Sequence, residues 1–208
     1  MKKFLSLILT ILLFCGTSFA KSKKSNLPAY KFNGGEYYLY YSAKNEDSGG
    51  YINEYYKANQ SYTSWKDLIA VWHYPNSYSP IDQAKEYKEI LGADGITCNI
   101  EIDEDENTAI IDFTLLATKK LPIIVEYNIF KFAKYDKCGS VGFQYAKRYR
   151  INSALEINKV KKDIEKNRKK IIKKVNKAKV PVLFSDSVDE GRLKSHEGTN
   201  QNHANELN

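Results

Sequence analysis

Residues Ser153–Lys179, SALEINKVKKDIEKNRKKIIKKVNKAK, constrain this chain more than any other stretch. Ile157, Val160, Ile164, Ile171, Val175 and Ala178 recur at steps of three, four and seven, so they share one face of a helix. No glycine or proline interrupts them, and Pro181 stops the run. Ser153 is the expected N-cap, with Glu156 three residues on as a capping box. Arg168 falls inside the apolar stripe. It either snorkels to solvent or meets an acidic partner.

From Glu156 to Lys179 there are eleven basic residues against three acidic ones, a net +8. The whole chain carries +7, so the remainder sums to −1. The basic excess therefore belongs to one helix. Its polar face offers Lys161, Lys162, Lys166, Lys169, Lys170, Lys173, Lys174 and Lys177 to an anionic partner. Alone, such a helix suggests nucleic-acid binding, and the N-terminus argues against that as the main role.

Residues 1–20 have the anatomy of a signal peptide. Lys2 and Lys3 precede the apolar run Phe4–Phe14, and Ser18-Phe19-Ala20 supplies small residues at the cleavage positions. The run is short for a membrane span. Cys15 follows Phe14 rather than a small residue, which disfavours lipidation. An exported product is expected, periplasmic or extracellular, with no transmembrane anchor after cleavage. Its anionic neighbours would be lipid headgroups, envelope glycans or acidic envelope proteins. Cys98 and Cys138 survive cleavage, and an oxidising compartment predicts a disulfide between them. The loop of roughly forty residues would add about 3–4 kcal/mol.

After a lead-in over 21–29, residues 30–184 read as a single α+β domain, and 185–208 as a polar, disordered tail. Glu36–Ala43 and Tyr51–Ala58 are tyrosine-rich strands around a turn-forming separator. Asp67–Tyr74 is apolar on both faces and reads as a central strand. Ile81–Leu91 is a short helix with Gly92 just past its end. Strands follow at Ile96–Ile102, Ala109–Ala117, Pro122–Tyr135 and Ser140–Tyr149, with Val180–Phe184 as a short edge strand. The expected architecture is an antiparallel sheet of about 6–7 strands, with one short helix and one long C-terminal amphipathic helix packed on it.

No G-x-S-x-G, H-E-x-x-H or Walker-type loop occurs. Asp103, Asp105 and Asn107 begin like a calcium loop, but Thr108 and Thr114 stand where glycine and glutamate are needed, so a hairpin turn is expected. No metal or cofactor is implied. His73 lies in an apolar strand and reads as structural, and His196 and His203 fall in the tail. A carboxylate hydrolase remains as the alternative, using a pair such as Glu54 and Asp112, or His73. Tyr37, Tyr41, Tyr55, Trp65 and Trp72 are the candidates for an aromatic platform that takes sugar or peptide, against the plainer reading that they fill the core.

Asn53-Glu54-Tyr55, then Trp65, Leu68-Ile69, Val71 and Tyr74-Pro75, resemble a pattern in small uncharacterised secreted proteins of Gram-negative bacteria. That resemblance implies export and an α+β fold, and brings no activity with it. The reading as a whole is an exported envelope protein, more a binding or accessory module than an enzyme, with one strongly basic helical face. A small periplasmic hydrolase is the alternative.

Overall fold

Segments of alternating polarity favour strands with two distinct faces. In the computed structural model they form one antiparallel sheet with a helix on each face. The structure describes residues 29–45, 48–77, 79–118, 121–135, 139–184 and 188–189. The expected signal peptide, nearly all of the lead-in, Cys138 and most of the tail lie outside these residues.

The strands are β1 (Ala29–Phe32), β2 (Gly35–Lys44), β3 (Tyr51–Lys57), β4 (Asp67–Tyr74), β5 (Cys98–Asp103), β6 (Thr108–Leu116), β7 (Ile123–Lys134), β8 (Ser140–Ile151) and β9 (Val188–Asp189). The helices are α1 (Pro80–Ala93) and α2 (Ala154–Asn176). The sheet order is β1-β2-β3-β4-β8-β7-β6-β5, with β9 added beside β2. Two antiparallel meanders therefore meet where β4 pairs β8, from Asp67 opposite Lys147 to Tyr74 opposite Ser140. β4 sits inside the sheet as its two apolar faces require, and Leu68 through Val71 are all buried.

Eight strands stand where about 6–7 were expected, and β9 adds a two-residue ninth. Ala29–Phe32 forms β1 by pairing with Gly35–Tyr38, anchored by the Tyr30 hydroxyl donating to the Lys179 carbonyl at 2.5 Å. Val180–Phe184 is no strand. Its end is held by a side chain: Phe184 N–H donates to Asn53 Oδ1 at 2.7 Å, and Asn53 Nδ2 donates back to the Phe184 carbonyl at 2.9 Å. A fully buried asparagine amide thus substitutes for a strand's backbone.

α1 packs Ala84, Tyr87 and Leu91 on Ala109, Ile111, Phe113, Phe130 and Phe132. Ser79 caps it, accepting from Asp82 N–H at 3.1 Å. It runs through Gly92 to Ala93 rather than stopping before it. Gly95, at φ +74, makes the left-handed exit that lets Ile96 N–H reach the Leu91 carbonyl at 2.9 Å.

α2 crosses the other face, over Ile69, Val71, Ile129, Phe143 and Tyr145. Its stripe is used unevenly. Ile171, Ile172 and Val175 are buried, whereas Ile157 and Leu155 are exposed. Ser153 occupies the N-cap position without a side-chain hydrogen bond, and Glu156 accepts from Asn152 N–H at 2.8 Å, so the expected capping box is only half formed and shifted by one residue.

Of the expected disulfide, only Cys98 lies within the described residues. Cys98 is a free thiol, and burial pushes its pKa up. It sits opposite Phe113, which sits opposite Asn128.

Candidate functional site

α1 covers only part of its face of the sheet. Beside it, β3, β4, β8 and β7 present an uncovered stretch, over which the β3–β4 loop folds Trp65. The result is a cleft of about 70 Å³. Tyr56, Tyr62, Trp65, Leu68, Trp72, Tyr87, Phe113, Leu115 and Phe130 form its apolar surface. Glu54, Glu126, Asn128, Gln144 and Arg148 form its polar part. All the strand residues among these share one face, because antiparallel partners project to the same side: Glu54 opposite Ala70, Ala70 opposite Gln144, Gln144 opposite Phe130.

The polar groups are organised among themselves. Trp72 Nε1 donates to Gln144 Oε1 at 2.8 Å, and Gln144 Nε2 donates to Asn128 Oδ1 at 2.9 Å. The Tyr56 hydroxyl donates to Glu54 Oε2 at 2.7 Å. Arg148 donates to Glu126 Oε1 from Nε at 2.8 Å and approaches it with Nη2 at 2.7 Å. Its guanidinium also lies 3.8 Å over the Trp65 ring. Burial pushes the Glu126 carboxyl above its ordinary range, and the neighbouring Arg148 charge opposes that rise. Fixed partners make the cleft rigid, with orientations set before any ligand arrives.

Of the five expected platform residues, Trp65 and Trp72 line the cleft. Tyr37 and Tyr55 are a correction: they lie on the opposite face, each 1% exposed in the core beneath α2. Tyr41 pairs with Glu54 at the cleft's β2 side, half-buried, but is not among the lining residues. A bulge between Leu39 and Tyr41 explains the split. Tyr37 and Tyr41 have the same parity in sequence, yet the inserted residue turns them to opposite faces.

The two members of the suggested carboxylate pair fall on opposite faces of the sheet. Glu54 lines the cleft, whereas Asp112 points beneath α2, where Arg168 and the Tyr127 hydroxyl hold it. His73 is on the α2 face as well, with its ring between Tyr51 and Tyr135 at 6.1 and 5.7 Å. The residues that sequence reasoning missed are Glu126, Asn128, Gln144 and Arg148. Their signal is Glu126 and Asn128, two apart in β7, and Gln144 and Arg148, four apart in β8, each pair on one face of its strand.

On the opposite face, Lys161, Lys162, Lys166, Lys169, Lys170, Lys173 and Lys177 stand exposed along α2. Lys174 is half-buried, donating to Asn33 Oδ1 at 2.6 Å.

No curated protein and no solved structure matches this chain. A family model matches residues 26–180, and the chain belongs to that family, an uncharacterised bacterial one.

Proposed function

We propose that this chain is an exported protein of the bacterial envelope that binds a glycan strand in the aromatic cleft beside α1, without transforming it. Export rests on the signal-peptide anatomy of residues 1–20. Binding rests on one observation above the others. Aromatic rings surround a polar floor whose groups already hold one another in place: Trp72–Gln144–Asn128, Glu126–Arg148 and Glu54–Tyr56.

The size of the cleft supports an extended ligand. Sites that engulf a small molecule enclose about 300–1,000 Å³. A cleft of about 70 Å³ is too small to engulf one, so it would contact part of a longer molecule. A sugar ring suits it, offering an apolar face to Trp72 and Tyr62 and hydroxyls to Gln144, Glu54 and Arg148. Hydrolysis is less well supported, because the two carboxylates in the cleft are engaged by Tyr56 and Arg148.

The test is co-sedimentation with purified peptidoglycan. The wild type is expected in the pellet and Trp72→Ala in the supernatant, with both folded by circular dichroism. Wild type left in the supernatant, or both proteins pelleting alike, would overturn the binding reading. Release of soluble glycan fragments would favour the hydrolase. Cell fractionation tests export, and retention in the cytoplasm would overturn it.

A further inference from the structure

Six large apolar side chains stand exposed among the described residues, and four of them gather at one end of the molecule. They are Leu116 (63% exposed), Leu121 (62%), Leu155 (84%) and Ile157 (44%). Their placement follows from the register. Leu116 ends β6 opposite Val125, close to the start of β7. Ile123, the first residue of β7, is opposite Ile151, the last of β8, and α2 begins three residues later. Leu121 belongs to the β6–β7 connection. Leu155 and Ile157 lie in the first turn of α2, at that same end.

Isolated exposed leucines are ordinary, but a cluster of four is not. Cations surround this one. Arg150, Lys159, Lys161 and Lys162 are exposed around it. The acid of the first helical turn, Glu156, is occupied by the Asn152 backbone N–H.

We propose that this end of the domain is a docking surface for an anionic phospholipid bilayer. Leu116, Leu121, Leu155 and Ile157 enter the headgroup boundary, and the surrounding lysines and arginine meet lipid phosphates. Apolar tips ringed by cations match an anionic interface in both respects. A second copy of the chain would oppose cation to cation, which disfavours self-association through the same surface. The proposal needs neither the glycan reading nor a particular side of the membrane. It does place the cleft near the bilayer, because Leu115, beside Leu116, is one of its lining residues.

Vesicle flotation tests this, using the protein purified in the form the cell accumulates. The probes are vesicles of phosphatidylglycerol with phosphatidylcholine, and of phosphatidylcholine alone. Wild type should float with the anionic vesicles at low salt and be released at high salt. Leu121→Asp/Leu155→Asp and Lys161→Glu/Lys162→Glu should each bind about tenfold more weakly or worse. These side chains are exposed, so the melting temperatures should match wild type. If the aspartate variant melts early, Leu121→Ser/Leu155→Ser takes its place. Wild type that does not float, variants that float like wild type, or equal binding to phosphatidylcholine would each overturn the proposal. So would a dimer that Leu121→Asp converts to monomer, or salt-sensitive capture of an acidic protein in place of lipid.

Discussion

Arg168 closes on Asp112 with two hydrogen bonds, Nε to Oδ2 at 2.9 Å and Nη2 to Oδ1 at 2.6 Å, tying α2 to β6. Asp112 is 3% exposed and also accepts from the Tyr127 hydroxyl at 3.0 Å. Its hydrogen bonds hold the guanidinium charge above the ordinary arginine range. Glu101, 3.7 Å away, adds a second carboxylate at the rim. The arginine that interrupts the apolar stripe is therefore the helix's polar anchor.

Arg168→Ala leaves a buried carboxylate without its cation. The expected loss is about 3 kcal/mol, or a fall in Tm of about 6–12 °C for a chain of this size. Arg168→Lys recovers only part of it, since an ammonium lacks the planar fork. The double change Arg168→Met/Asp112→Leu should lie closer to wild type than Arg168→Ala. Chemical denaturation of the four proteins decides; an Arg168→Ala loss below about 0.5 kcal/mol would count against the anchor.

Asn53→Ala removes the acceptor of Phe184 N–H and one of the two donors to the Phe184 carbonyl, leaving the Ser42 hydroxyl at 2.9 Å, and it removes the Nδ2 donor to Ser42 Oγ at 2.8 Å. A cost of about 1–3 kcal/mol is expected. Hydrogen exchange should rise at the Phe184 amide more than at amides of β4, which is locked between β3 and β8. Uniform exchange across both would show that Asn53 does not hold the strap.

Glu126 gives a dependence on pH. Its folded pKa is raised by burial, so its contribution to stability is fully present below the unfolded value of about 4.3 and is lost as pH rises through the folded value. Glu126→Gln removes this term. Thermal melts from about pH 4 to neutrality should therefore fall less steeply in the variant than in the wild type. Parallel profiles would refute the raised pKa.

The two halves of α2 should respond differently to truncation. Ile171→Ala is expected to cost about 2–5 kcal/mol. Ile157→Ala, on the half that stands clear, should stay within about 0.5 kcal/mol. Equal losses, read from urea midpoints, would mean that both halves pack.

Much of the fold was legible where one element carried its own signal. The apolar faces of Asp67–Tyr74 identify an inner strand, and the structure gives β4 the same bounds. Spacing identifies α2. The candidate site was less legible. Trp65 and Trp72 reach the cleft, but Tyr55 alternates to the α2 face between Glu54 and Tyr56, and one inserted residue in β2 sends Tyr37 to that face although it shares the parity of Tyr41. The polar half of the cleft comes from β3, β7 and β8, which only the sheet order makes neighbours of one another through β4. β1 was missed as a separate strand because four residues carry too short a pattern, and it needs β2 to exist.

By itself the sequence determined the periodicities: which stretches alternate, which wind, and that one helix carries the basic excess. These are properties of neighbouring residues, fixed by 3.6 residues per helical turn and two per strand repeat. Only the tertiary structure decided how that helix is used. Register and sheet order place Asp112 beneath Arg168, bury Ile171 and Val175, and leave Leu155 and Ile157 beyond the edge of the sheet. A periodic stripe states which residues can share a surface. How far the opposing surface extends is set by the sheet order that brings β4, β6, β7 and β8 together beneath the helix, and no local pattern records it.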